Sequence, residues 1–437
     1  MKQKAFILVV MVAILGLPLW AGGGAQRPAP AGAAGAVNYS VTAPITIEWW
    51  HAVENQYSGT VDKTAEGFNK SQNLITVEPR YIGSWSQVNE NLVTAHAAGA
   101  GVPAISTANT PLVAEYGAGG LAEVLDPYIK ATNFPINDFG DGLIVATQES
   151  GRQVALPFII SAQVMYYNKD MVKSMGVQVP TNWSQMDAFL KAAHRKTGSE
   201  TTLWAFIIPG WDQWYYETFY LNQGINIINP DGRTTDLDSP KAIELAQQIK
   251  DWCDAGYIYW ASGTNASNIM RQNFWDSKAF SIGHTTSLYN TYVDNCNFEV
   301  GMAWYPGAAT NIAEIGGQTI VIPARAEQRQ KNAAWKFAEY LLSPEVNMLW
   351  AVETGYLPIR KSILESESGR QFLRDKPEFR TYIENMDQIK PRIQHPAWSE
   401  LSRIWMAYMA ETINENMNVP EQMRKMAAEI NEVLQDQ

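Results

Sequence analysis

Between residues 45 and 107 the chain alternates short apolar strands with amphipathic helices, and this alternation narrows the fold more than any other feature. Ile45-Thr46-Ile47-Glu48-Trp49-Trp50 has the two-residue period of a strand. Val61, Ala65 and Phe68 follow at helical spacing, and Leu74-Ile75-Thr76-Val77-Glu78-Pro79-Arg80-Tyr81 reads as a second strand. Val88 to Ala98 reads as a second helix and Ala104-Ile105-Ser106-Thr107 as a third strand. A β-α-β-α-β order predicts an α/β fold, a mostly parallel sheet with helices on its faces. Right-handed crossovers then gather the loops at the strand carboxyl ends, where open α/β sheets bind ligands.

A second unit of the same kind begins near residue 155. Gln163-Val164-Met165-Tyr166-Tyr167 is a strongly apolar strand, and Asn168-Lys169-Asp170 starts a helix. Asn182-Trp183-Ser184 caps a helix from Met186 to Ala193, and Asp238-Ser239-Pro240 caps another from Ala242 to Cys253. Phe298 to Tyr305 reads as a late strand and Ala333 to Leu342 as a helix, with Ser343-Pro344-Glu345 opening the next. Glu400 to Leu434 reads as helical throughout. The expectation is two α/β lobes and a helical C-terminus, with no internal repeat.

Ahead of these units, Lys2 and Lys4, the apolar run Ala5 to Leu17, Pro18, and Leu19-Trp20-Ala21 before Gly22 predict a cleavable signal over 1–21. The apolar run is shorter than the ~20 residues a spanning helix needs. No cysteine lies near the cleavage point, so a lipoprotein is not expected. Residues 22–43 are rich in Gly, Ala and Pro and read as a flexible tether. The protein is expected to be exported to the periplasm or another extracytoplasmic space. Cys253 and Cys296 are the only cysteines, either one disulfide or two buried thiols.

With 33 basic against 44 acidic residues and a net charge of −11, the chain has no electrostatic footprint for nucleic acid or anionic lipid. No Gly-Lys dipeptide occurs, which excludes a Walker A phosphate loop, and no GxSxG, HExxH or EF-hand pattern appears. His51, His96, His194, His284 and His395 are dispersed without metal-ligand spacing. No cofactor and no metal are expected. A glycosidase or phosphodiesterase carboxylate pair leaves no sequence signature, because its members meet only in three dimensions.

Three aromatic loops with polar neighbours stand out: Ile82-Gly83-Ser84-Trp85, Pro209-Gly210-Trp211-Asp212-Gln213-Trp214-Tyr215-Tyr216 and Thr354-Gly355-Tyr356-Leu357-Pro358. Flat aromatic faces suit C–H-rich ligands while hydroxyls and amides orient them, as sugar or polyol recognition requires. With 16 Trp in the chain most must serve packing. Gly210, Asp212 and Gln213 mark an exposed turn, which favours Trp211 and Trp214 as ligand contacts.

From Ile45 onward the chain resembles the extracellular solute-binding proteins of ABC importers, in the carbohydrate-binding group and nearest its glycerol-phosphate-binding members. The resemblance rests on Trp50-His51, Pro157-Phe158, Val164-Met165-Tyr166-Tyr167-Asn168-Lys169-Asp170, Gly210-Trp211-Asp212-Gln213-Trp214, Ile315-Gly316-Gly317 and Thr354-Gly355-Tyr356-Leu357-Pro358-Ile359. It implies two lobes joined by a multi-strand hinge, 44–155 with about 304–345 and 156–303 with about 346–437, closing on a small solute. It also implies delivery to a membrane permease, a monomer, and no enzymatic activity.

Carried over position by position, the implied ligand contacts are Trp85, where the glycerol-phosphate binders have Tyr, and Thr110, where they have Glu. The others are Ser161, the Trp211 and Trp214 pair, His284 and Thr285, where those proteins have a Ser-Ser-Gly turn, Gly317, Tyr356 and a phosphate-binding Arg at Arg403. Loss of the Glu at Thr110 removes a charged acceptor worth ~1.5–3 kcal/mol. His284-Thr285-Thr286 changes size and donor geometry, and such swaps change which ligand a site accepts. Arg403 favours an anionic ligand, or else an interlobe ion pair. The rival readings are the secreted hydrolase above and a sensor subunit presenting its ligand to a receptor.

Overall fold

The strand Ile45–His51 pairs in parallel with Ile75–Tyr81 on one side and with Ile105–Asn109 on the other, as its alternation predicts. This is a computed structural model, and it describes residues 39–436. The expected signal, and the expected tether up to residue 38, lie outside the described residues. Ile47 and Trp49 are buried, and Val61 and Phe68 of the helix Ser58–Ser71 join them in one apolar cluster. The helix Trp85–Ala98 opens on a capping box: Ser84 accepts from the Gln87 N–H, and the Gln87 side chain accepts from the Ser84 N–H.

The parallel pattern holds on either side of the sheet, apart from the edge strand Arg195–Thr197, which is antiparallel to Glu200–Pro209, and gives way at the centre. Ala279–Thr285 runs parallel to Glu200–Pro209, which runs parallel to Ile258–Ala261. The long strand Leu156–Asn168, however, is antiparallel to Ala279–Thr285, Val300–Ala303 and Ala313–Val321. Ala313–Val321 is also antiparallel to Ile105–Asn109. The expected mostly parallel sheets are therefore joined through a mixed centre. The chain crosses into the second half through Leu156–Asn168 and returns through Ala313–Val321, so the returning strand enters from the opposite end.

Leu156–Asn168 spans 13 residues and is buried at every position but Tyr167, a length of about 43 Å at the usual strand rise. Its Leu156–Ala162 portion pairs with Ala313–Val321, and its Gln163–Asn168 portion with the second half of the sheet. Gly317, at φ +90°, sits where a Cβ would lie 2.1 Å from the Ile159 carbonyl oxygen. The pairing register shifts just beyond, between Gln318 and Thr319.

The C-terminal segment is two helices, Trp398–Asn414 and Val419–Gln435, rather than one. Asn416 adopts a left-handed φ of 55°, Asn418 caps the second helix, and Pro420 lies in its first turn. Apolar periodicity runs across the break, which is why it reads as continuous. Cys253 and Cys296 are free thiols. Burial pushes each up to about 12.

Candidate functional site

The turns that leave several strands meet in a cleft of about 120 Å³. Ser161 lies in the middle of Leu156–Asn168, opposite Gly316 of Ala313–Val321, and Gly317 follows it. Asn109 ends its strand, and Thr285 ends Ala279–Thr285. Trp85 opens its helix, Tyr356 follows the helix Pro344–Glu353, and Arg392 follows the short strand Ile389–Lys390. Glu54, Asp212, Trp214, Tyr215 and Ser287 complete the lining.

Larger hollows lie elsewhere. One of about 290 Å³ is bounded by Gly140–Leu143 and Met386–Lys390, and an open groove of about 850 Å³ runs past Asp238 and Trp252. Volume does not identify a binding site as well as convergence does, and the smaller cleft gathers four aromatic side chains with polar groups from separate elements. At about 120 Å³ it is smaller than the ~300–1,000 Å³ usual for a ligand pocket. Gln56 Nε2 donates to Thr291 Oγ1 at 3.3 Å, and Tyr57 O–H donates to the Ser287 carbonyl at 2.5 Å.

Trp214 is the centre of the site. It is only 4 % exposed, yet its Nε1–H has no partner. A Cβ on Gly316 would lie 2.5 Å from its Cζ2 and Cη2 atoms, so the bare glycine is what lets the indole rest on the strand. The turn Gly210-Trp211-Asp212 feeds directly into the helix Trp214–Asn222. Trp214, Tyr215 and Tyr216 are therefore buried, where the sequence pointed to an exposed turn.

Behind Trp214 lies a buried polar network. Arg392, itself buried, donates from Nε to Glu217 Oε1 at 3.3 Å and stacks over the Trp214 and Trp398 rings at 5.9 and 5.7 Å. Thr218 O–H donates to Glu314 Oε2 at 2.8 Å, and Gln163 Oε1 accepts from the Glu314 N–H at 2.8 Å. Burial raises both carboxyls, and the Glu217 charge pushes Glu314 well above the usual range. Glu314 is thus the more strongly raised of the two, while the Arg392 charge opposes the rise at Glu217. Burial would lower the Arg392 guanidinium, but the neighbouring carboxylates outweigh it and its pKa rises. At the rim, the concave surroundings raise the Glu54 carboxyl, opposed by the Arg271 charge.

Of the ten residues singled out from the sequence, Trp85, Ser161, Trp214, Thr285, Gly317 and Tyr356 lie together in this cleft. Thr110 is buried one position beyond Asn109, with its hydroxyl unpartnered. His284 is buried behind the lining, stacked on Tyr215 at 5.5 Å and bonded through Nδ1 to the Tyr292 hydroxyl at 2.9 Å. Burial holds it well below the usual imidazole range, so it is neutral. Trp211 packs edge-on against Tyr215 and His284 rather than lining the cleft. Arg403 lies apart from this cleft. It stands on the exposed surface of Trp398–Asn414, paired with Glu400 at 2.7 Å and with Glu429 at 3.7 Å. The arginine at the cleft is Arg392. Asp212 and Tyr215 stood inside the quoted aromatic loop. Arg392, Glu54 and Asn109 carry no local signal, because only the tertiary fold brings them here.

A cleft of this composition, set where strands cross between two halves of an α/β sheet, defines a binding protein for a small solute. The chain belongs to the bacterial extracellular solute-binding protein family, whose model matches residues 63–381. It is 26% identical over 361 residues to the sn-glycerol-3-phosphate-binding periplasmic protein UgpB of Yersinia pseudotuberculosis, covering 76% of this chain and 78% of that one. To the protein of the same name from Pectobacterium atrosepticum it is 27% identical over 363 residues, covering 76% and 77%. Among solved structures, UgpB from Mycobacterium tuberculosis in complex with glycerophosphocholine shares the fold with a TM-score of 0.80 at 21% identity, over 90% of this chain and 99% of that one. The GacH receptor of Streptomyces glaucescens does so at 0.78 and 19%, over 90% and 98%. These relatives are solute-binding proteins. Among the described residues no helix is long and apolar enough to cross a membrane, and no cluster of His, Cys, Asp or Glu is placed to hold a metal ion.

Proposed function

We propose that this chain is the exported substrate-binding subunit of an ABC importer. It captures a sugar, polyol or glycerol-phosphate-type solute without covalent chemistry and hands it to a membrane permease. We assign 44–155 with about 304–345 to one lobe and 156–303 with about 346–437 to the other, the protein acting as a monomer. The observation that carries this reading is the gathering of Trp85, Trp214, Tyr215 and Tyr356 with Ser161, Asn109 and Thr285 in one cleft. Aromatic faces cover the carbon skeleton of a polyol while the polar groups take its hydroxyls. A ligand seated there favours the closed arrangement in proportion to how much better it binds that state.

The test is thermal unfolding of the chain from Val37 onward with a panel of sugars, polyols and glycerol phosphates. A ligand at a hundred times its dissociation constant adds ~2.7 kcal/mol and shifts the midpoint clearly. With that ligand in hand, Trp214→Ala is expected to weaken binding at least tenfold in a calorimetric titration while the protein stays folded. Unchanged affinity would remove Trp214 from the site.

A further inference from the structure

Arg392 is the one basic side chain lining the cleft, and two carboxylates of the chain itself already face it. Glu217 holds Nε from the buried side. From the cleft side Asp212, 38% exposed, brings Oδ1 to 3.7 Å from Nη2. The same Oδ1 accepts the Trp214 N–H at 3.0 Å, at the start of the helix Trp214–Asn222. Gln213 ties the two together when its amide is turned to satisfy both ends. It then accepts from Arg392 Nη2 at 2.5 Å and donates to Asp212 Oδ1 at 3.1 Å. A helix N-terminus beside a guanidinium is the arrangement that holds a phosphate or carboxylate. Here that place is filled from within.

We propose that Asp212 is a built-in counter-ion occupying the cleft's anion subsite, so that the chain rejects phosphate esters and takes an uncharged polyhydroxylated solute. This rests on the solute-binding reading above and narrows it. A phosphate group seated at Arg392 would have to displace Asp212 or lie against it, and Glu54 adds a second carboxylate to the same cleft. A hydroxyl, by contrast, donates to Asp212 and meets no repulsion. Trp214 lines the same cleft, and its buried, unpartnered indole N–H is a donor left for such a ligand's oxygen.

The experiment compares wild type, Asp212→Asn and Glu54→Gln by calorimetric titration and thermal unfolding, with inorganic phosphate, sn-glycerol 3-phosphate and neutral sugars as probes. Asparagine keeps the acceptor for the Trp214 N–H, and Asp212→Ser serves as a second variant if Asp212→Asn unfolds. Wild type is expected to show no response to either phosphate probe. Asp212→Asn is expected to gain at least tenfold in affinity for both, and Glu54→Gln to gain far less. Wild-type binding of sn-glycerol 3-phosphate within tenfold of Asp212→Asn would overturn the proposal. So would an equal gain in Glu54→Gln, which would mean a general field effect, or no gain in Asp212→Asn and Asp212→Ser. The neutral sugars judge the underlying reading separately: no response to any sugar in wild type counts against solute capture, whatever the phosphate arms show.

Discussion

Gly316 has no side chain because Trp214 needs the space, and much of the site follows from that one contact. A methyl group there would sit 2.5 Å from two atoms of the indole ring, closer than any van der Waals contact allows. Gly316→Ala is therefore expected to cost ~1–3 kcal/mol in urea unfolding and to shift Trp fluorescence as the ring is displaced. The glycine pair and both tryptophans were legible in the sequence as strings of unusual residues. Their division of labour was not, since Trp214 faces the cleft while Trp211 packs behind it against His284. Arg392 was illegible for a related reason. Nothing in Pro391-Arg392 differs from a surface arginine until Glu217, Trp214 and Trp398 close around it. Arg403, by contrast, sits in a helix whose Glu400 and Glu429 answer its charge in solvent, where such pairs contribute little.

Elements whose two faces see different surroundings could be read, and elements buried all round could not. The helix Ser58–Ser71 buries one face, Thr60, Val61, Thr64, Ala65 and Phe68, and turns the opposite one to solvent, so its period survives in the sequence. The helix Trp214–Asn222 buries eight of its nine residues and shows no period, so its start passed for an exposed turn. Strand direction was likewise beyond the sequence at the centre of the sheet, because antiparallel pairing there is set by where the chain returns, with Ser161 facing Gly316, 155 residues further along (316 − 161). The C-terminal break was hidden by apolar residues on both sides, but its capping chemistry stands in plain view. Asn418 accepts the Glu421 N–H at 3.0 Å on an exposed surface. Asn418→Ala is expected to lower stability by ~1 kcal/mol and Asn418→Asp to retain it. Amide exchange in Val419–Gln435 should quicken in the alanine variant alone.

At the scale of the whole molecule, two buried groups tilt stability against pH in opposite directions. His51 lies in the first strand with Nδ1 accepting the Val53 N–H at 3.3 Å, and burial lowers it to about 4. Unfolded, it would titrate near its ordinary value of ~6.5. A base with a depressed folded pKa contributes stability that is present above the unfolded value and lost as pH falls toward the folded one. Between pH 6.5 and 5 that loss is about 2 kcal/mol, at ~1.36 kcal/mol per pH unit. Glu314 works the other way. Its folded pKa lies above its unfolded one, so the native state holds a proton the unfolded state has released, and stability falls as pH rises through that window. Glu314→Gln keeps a neutral side chain in place and removes the proton. Urea unfolding of wild type and variant from pH 5 to 8 should therefore show the variant gaining on wild type as pH rises, while His51→Asn gains on wild type as pH falls from 6.5 to 5. A flat difference for Glu314→Gln would mean that Glu314 is ionised in the folded protein. Glu314 would then join Glu217 and Asp212 as a third carboxylate around the single Arg392, and the balance of charge behind Trp214 would have to come from elsewhere.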